Sequence, residues 1–173
     1  MLRFDEIIDH TNERVGRITA FLVIPLVAVV IYEVLARYLF NAPTVWAFEL
    51  TTFIYGIHYM VGLGYTLKQQ GHVSIDIVEA KLPTKVRNLL KIIVGFILFI
   101  PTVGFLTYGS ARYAVNSWQS MERASTSWAP LLAPYKTFMA IGFILLLIQG
   151  ISTIIQSWRE LRQLTSSKSE GQQ

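Results

Sequence analysis

Apolar residues in this chain gather into four long runs separated by polar connections. The first runs from Ile18 to about Phe40; it is uncharged to Tyr32 and then carries Glu33 and Arg37. The second extends from about Val45 to Leu67 and has no charge after Glu49. The third, Ile92 to Ala111, and the fourth, about Thr137 to Trp158, carry no charge at all. A hydrocarbon core about 30 Å thick is crossed by roughly 20 apolar residues in a helix. Lipid offers backbone N–H and C=O groups no partner, so a span must be a helix or part of a closed barrel. Runs this long and continuous do not suit barrel strands. The pattern predicts an all-α integral membrane protein, one membrane domain with four transmembrane helices at about 18–40, 45–67, 92–111 and 137–158.

The connections carry their own signals. In residues 1–17, Phe4, Ile8, Thr11 and Val15, followed by Ile18, recur at helical spacing among charged positions. That amphipathic pattern suits a helix lying on the inner leaflet, or equally a soluble extension of the first span. Between Gly71 and Leu82, Ile75, Val78 and Leu82 share a helical face, whereas Val73, Ile75 and Ile77 alternate as in an extended piece. Pro83 suits the first turn of the third helix, where its missing N–H is not needed. Pro25 and Pro101 fall inside spans one and three, where a proline removes a backbone bond and tends to kink the helix. Both read as packing features. Ser125–Pro134 reads as an irregular outer connection, and the polar end, 165–173, as a disordered tail.

Composition narrows the class. The 173 residues are 53% apolar and only 15% charged, against about 25% charged in ordinary soluble domains. Mean hydropathy is +0.45. These values argue against a soluble monomer, a disordered chain and a nucleic-acid module. The net charge of +4 matters by its placement. Eleven Lys and Arg fall on the two termini and the connection between spans two and three; four (Arg37, Arg112, Arg123, Lys136) fall on the other side. The positive-inside rule then places both termini in the cytoplasm. Acidic residues before the first run, and no A-x-A site after it, predict a retained helix instead of a cleaved signal peptide.

Candidate chemistry is sparse. With no cysteine, disulfides and thiol chemistry are excluded. His10, His58 and His72 lie far apart and match no local metal motif; no nucleotide-binding or hydrolase motif occurs. No catalytic group, metal or cofactor is expected. Glu33 and Arg37 stand four apart on one face, and a short turn brings Glu49 back towards them. The three read as a polar cluster at the outer interface: an ion or substrate site, or a structural ion pair that anchors another subunit. His58 and Gln149 lie deep in spans two and four, where a hydrogen bond between helices is the simplest use. Gly56, Gly62 and Gly64 allow close helix approach. Aromatic residues (Tyr38, Phe40, Trp46, Trp158) mark the interfaces.

Arg37-Tyr38-Leu39-Phe40-Asn41-Ala42-Pro43, with Trp46 and Glu49, resembles the first hairpin of a known family, as does Gly71-His72-Val73-Ser74-Ile75-Asp76 after span two. Ser117-Trp118, Pro134-Tyr135-Lys136 and Leu145–Gln149 fit as well. The chain is similar, over about Gly16 to Ser157, to the small membrane subunit (DctQ-like) of tripartite ATP-independent periplasmic (TRAP) transporters. The resemblance implies a bacterial inner-membrane complex. Its partners would be a large multi-span permease subunit, a periplasmic substrate-binding protein and membrane phospholipid, with no nucleic acid. It implies sodium-driven uptake of organic anions through an elevator-type large subunit, with this chain as scaffold. On that reading Arg37 and Glu49 brace the first hairpin, Glu33 assists, and His72 and Asp76 fix the inner loop. Two other functions are consistent with the composition: a small proton-coupled exporter using Glu33, and a haem-bearing membrane anchor of a respiratory enzyme.

Overall fold

The computed structural model describes residues 4–69 and 83–170, with side chains described within 5–69 and 83–163. All its regular elements are helical: α1 Phe4–Ala20, α2 Val23–Tyr38, α3 Ala47–Lys68, α4 Thr84–Val94, a π turn Gly95–Phe99, α5 Ile100–Gln119 and α6 Ala133–Glu170. Three stretches are long and apolar enough to cross a membrane: Asp5–Tyr38, Thr84–Gln119 and Ala133–Gln163. The 22 residues of α3 are fewer but still enough to span a hydrocarbon core; their threonines, tyrosines and His58 dilute their apolarity.

Both intramembrane prolines act one turn upstream of themselves. A helical proline clashes with the carbonyl four residues back. For Pro25 that residue is Phe21, and the helix tightens there: Phe21 N–H donates to Ile18 O at 3.1 Å and Leu22 N–H to Thr19 O at 3.0 Å. This break separates α1 from α2. For Pro101 the residue is Ile97, which sits within the π turn Gly95–Phe99; the wider turn absorbs the missing donor. α4, the π turn and α5 thus form one interrupted helix, beginning directly after Pro83.

α6 is the hub. Its buried line is mostly small or polar: Ala133, Lys136, Ala140, Gln149, Ser152 and Ser157. Small side chains let neighbouring backbones approach, the usual basis of helix packing in lipid. α3 and α5 pack along α6, and α4 meets its later turns. At the α3–α6 crossing, a Cβ on Gly142 would stand 2.7 Å from the backbone carbon of Met60. Phe53 stacks on Tyr135 at 5.0 Å in the same interface. Gly56 lies against the Tyr135 ring and Gly64 against Asn12, whereas Gly62 faces open space.

α1 packs against both α3 and α6. Its buried line is Asp5, Ile8, Asn12 and Thr19. Of the expected apolar face, Ile8 turns inward while Thr11 and Ile18 are exposed. The reason is polar pairing: α3 and α6 supply partners for the acidic and amide groups of α1, and that outweighs burial of Ile18. α2 packs on α3 and leaves most of its apolar surface exposed. α6 continues to Glu170, into the tail whose composition reads as disordered.

Candidate functional site

Two polar clasps hold the ends of the bundle. One begins with the α2–α3 turn. Asn41 adopts a left-handed φ of 49°, which its short polar side chain tolerates. Ala42 N–H donates to Ala36 O at 2.9 Å, satisfying a carbonyl that the end of α2 leaves open. Pro43 then prevents the helix from continuing. The turn delivers Thr44 to Glu33. Oε2 of Glu33 accepts from the Thr44 hydroxyl and, at 3.2 Å, from its backbone N–H. Oε1 accepts from Arg37 Nη2 and, at 3.1 Å, from Nε. Trp46 stacks on Tyr32 at 5.6 Å across the same hairpin.

Glu33 and Arg37 therefore meet, with Glu33 as the shared acceptor and Thr44 as a member the hydrophobic pattern does not reveal. A Thr just after Asn-Ala-Pro is the signal that could have found it. Glu49 stands apart: it is buried in the first turn of α3, and its Oε2 has no hydrogen-bond partner. His72 and Asp76 fall outside the described residues. Since one carboxylate serves both the helix and the turn, Glu33→Ala should lower the thermal transition of the detergent-solubilised chain more than Arg37→Ala does. Arg37 is half-exposed, and exposed pairs contribute little.

A further polar feature closes the α5–α6 connection. Lys136, only 4% exposed, pairs with Glu122, and its Nζ lies 3.5 Å from the centre of the Tyr113 ring. A cation against an aromatic face in a desolvated setting is attracted by the ring quadrupole. Trp118 Nε1 donates to Thr137 Oγ1 at 2.9 Å. Leu132 N–H donates to Glu122 O and Ala124 N–H to Pro130 O, at 2.9 and 3.0 Å. The loop is thus pinned across its width, which offsets the left-handed backbone at Met121 and Ala129.

The Lys136 ammonium holds the Glu122 carboxyl below the ordinary glutamate range, because an opposite charge favours the ionised form. A depressed folded-state pKa stabilises above the ordinary glutamate value, and that contribution is lost as pH falls through the depressed one. Thermal melts of the wild type should therefore drop on acidification through that range. In Glu122→Gln the drop should be smaller, with the two curves converging at the acid end.

The other clasp ties α1 to the other helices. Gln149, 1% exposed, accepts from Asn12 Nδ2 at 2.7 Å and donates to Asp9 Oδ1 at 2.8 Å. Gln156 Nε2 donates to Asp9 Oδ2 at 2.9 Å. Arg159 Nη1 donates to both Asp5 oxygens at 2.7 Å. Lys68, at the end of α3, reaches Glu13 at 2.8 Å and the Asp9 carbonyl at 3.1 Å. Asn88 Nδ2 of α4 donates to Glu160 Oε2 at 3.0 Å. His58 Nδ1 lies 2.8 Å from Thr19 O, at the carbonyl beside the α1–α2 break. His58 and Gln149 thus each bond to α1. Among the described residues, no group of three or more His, Asp or Glu is placed to hold a metal ion.

Helices of membrane-crossing length, fastened to one another by buried polar side chains, define a helical membrane protein. A family model for tripartite ATP-independent periplasmic transporters, DctQ component, matches residues 26–160. The chain belongs to this family: it is a small permease component of a TRAP transporter. It is 24% identical over 154 residues to the sialic acid TRAP transporter small permease protein SiaQ of Vibrio cholerae, covering 88% of this chain and 86% of SiaQ. It is 31% identical over 61 residues to the C4-dicarboxylate TRAP transporter small permease protein DctQ of the same organism, covering 35% of this chain and 26% of DctQ. The sialic acid TRAP transporter permease protein SiaT of Haemophilus influenzae is 27% identical over 88 residues, 51% of this chain and 14% of SiaT.

Proposed function

We propose that the chain is the scaffold subunit of a sodium-driven TRAP transporter in the bacterial inner membrane. It supports a large elevator-type permease that imports organic anions delivered by a periplasmic binding protein. Relatives named for sialic acid and C4-dicarboxylates, both carboxylates, support the anion class. The chain crosses the membrane four times, α3 supplying the fourth span: its 22 residues measure about 33 Å at 1.5 Å each. Both termini lie in the cytoplasm, where the positive-inside rule assigns the eleven Lys and Arg. Arg37, Glu33 and Thr44 brace the first hairpin, Glu49 seats the start of α3, and His72 and Asp76 fix the inner loop.

The observation that carries the scaffold reading is how the polar side chains are spent. Asp9, Asn12, Gln149 and Lys136 are each tied to another part of this chain. Both Glu33 oxygens are occupied as well. Side chains so committed suit rigidity better than ion movement. Co-purification in mild detergent should recover the large permease subunit, and uptake of a labelled organic anion into proteoliposomes should require both subunits, the binding protein and sodium. Transport by this chain alone, abolished by Glu33→Gln, would overturn the assignment in favour of a small exporter.

A further inference from the structure

At the end of the bundle where α1 begins and α6 finishes, several basic side chains have acidic partners. Lys68 and Arg17 share Glu13, and Arg159 takes Asp5. Arg87 on α4 differs. It takes part in none of the ion pairs among the described residues, and its half-buried side chain has a fully buried Nε with no acceptor. Its neighbour Asn88 is buried and bound to Glu160, which fixes this part of α4 against α6. Lys85 stands exposed one half-turn earlier. Beside these charges, Val86, Leu90, Ile93 and Ile97 recur every three or four residues and are exposed, forming an aliphatic stripe that climbs away from them.

We propose that this end of α4 is a binding site for an anionic phospholipid. Its phosphodiester would sit on Arg87, and an acyl chain would lie along Val86, Leu90, Ile93 and Ile97. A partly desolvated guanidinium without an acceptor is costly, and a phosphate matches its planar fork of donors. Basic groups at the membrane edge beside an apolar surface are the arrangement that recognises anionic headgroups. The stripe consists of large branched side chains and lacks the small residues on which close helix–helix contacts in lipid rely. That favours an acyl chain over a partner helix. The site is independent of the transport reading.

The test titrates the full chain in detergent with phosphatidylglycerol, phosphatidylcholine or inorganic phosphate and reads bound species by native mass spectrometry. A basic residue near an anionic lipid surface is worth about fivefold in affinity. Wild type should retain phosphatidylglycerol over phosphatidylcholine, Arg87→Gln should lose about fivefold or more of that retention, and Arg87→Lys should keep part of it. Arg14→Gln, at an exposed position on α1, should behave as wild type. Equal retention by Arg87→Gln and wild type would sink the proposal. So would competition by inorganic phosphate as strong as that by phosphatidylglycerol. Loss of the large subunit from Arg87→Gln preparations with lipid retention intact would assign Arg87 to a partner carboxylate instead. Should Arg87→Gln fail to fold, photoactivatable phosphatidylglycerol on the unaltered chain decides: adducts within 84–98 support the site, and adducts confined elsewhere overturn it.

Discussion

Gly142→Val is expected to unmake the α3–α6 pair. The purified chain should lose its cooperative thermal transition in detergent, and the large permease subunit should no longer co-purify. A side chain at position 142 would collide with the Met60 carbonyl oxygen and stand 2.7 Å from the carbon behind it. Both atoms are backbone, so no rotamer change relieves the collision; the helix axes must separate. Overpacking costs about 1–3 kcal/mol even where neighbouring side chains can shift. Here the separation also loosens the Phe53–Tyr135 stack and the approach of Leu145 to Gly64, 3.3 Å from a Cβ built there. In lipid no hydrophobic drive compensates, because tails are as apolar as the side chains they replace. Gly104→Val on α5 is the control, since nothing lies within 4 Å of a Cβ there. If the two variants melt together, close backbone approach is not what holds the pair.

This contrast shows how much was legible before the structure. Long apolar runs announce helices, and the observed elements cover each of them, because a backbone in lipid has few alternatives. Glycines announce close approach only as a class. Gly56 and Gly64 touch neighbours while Gly62, on the same helix, touches none, and rotation about the helix axis is set by partners far away in sequence. The same limit explains α1. Its apolar positions suggested a helix on the inner leaflet or a soluble extension of the first span, and the pattern alone did not reveal that the buried line includes Asp5 and Asn12, since groups on α6 more than a hundred residues later receive them. The outer hairpin was partly readable. The four-residue spacing of Glu33 and Arg37 is local and helical, so their pairing follows from the sequence. Glu49's separation from them, and Thr44's place in the cluster, depend on how the Asn41–Pro43 turn closes.

The clasp on α1 gives the second large expectation: Gln149→Leu should release α1 from the bundle. Leucine is one heavy atom shorter than Gln149 but of similar bulk, so the change alters bonding more than volume. It removes the acceptor of Asn12 Nδ2 and one of the donors to Asp9. Asn12 is buried, so its amide is left without water or partner. A buried polar group stranded in this way costs about 1–3 kcal/mol, although hydrogen bonds within membrane proteins average nearer 0.6 kcal/mol because the loosened state finds other partners. Two disturbed groups therefore imply a loss on the order of 2 kcal/mol. The chain has no cysteine, so a thiol introduced at the buried Ile8 reports directly on α1. Maleimide labelling of Ile8→Cys should be slow alone and about tenfold or more faster when combined with Gln149→Leu, as a shift of that size requires. Adding Asn12→Leu should slow labelling again, because removing both partners leaves fewer stranded groups than removing one. Unchanged labelling in Gln149→Leu would mean that Arg159–Asp5 and Lys68–Glu13 suffice to hold α1. The interior amides would then set the register of α1 without holding it in place.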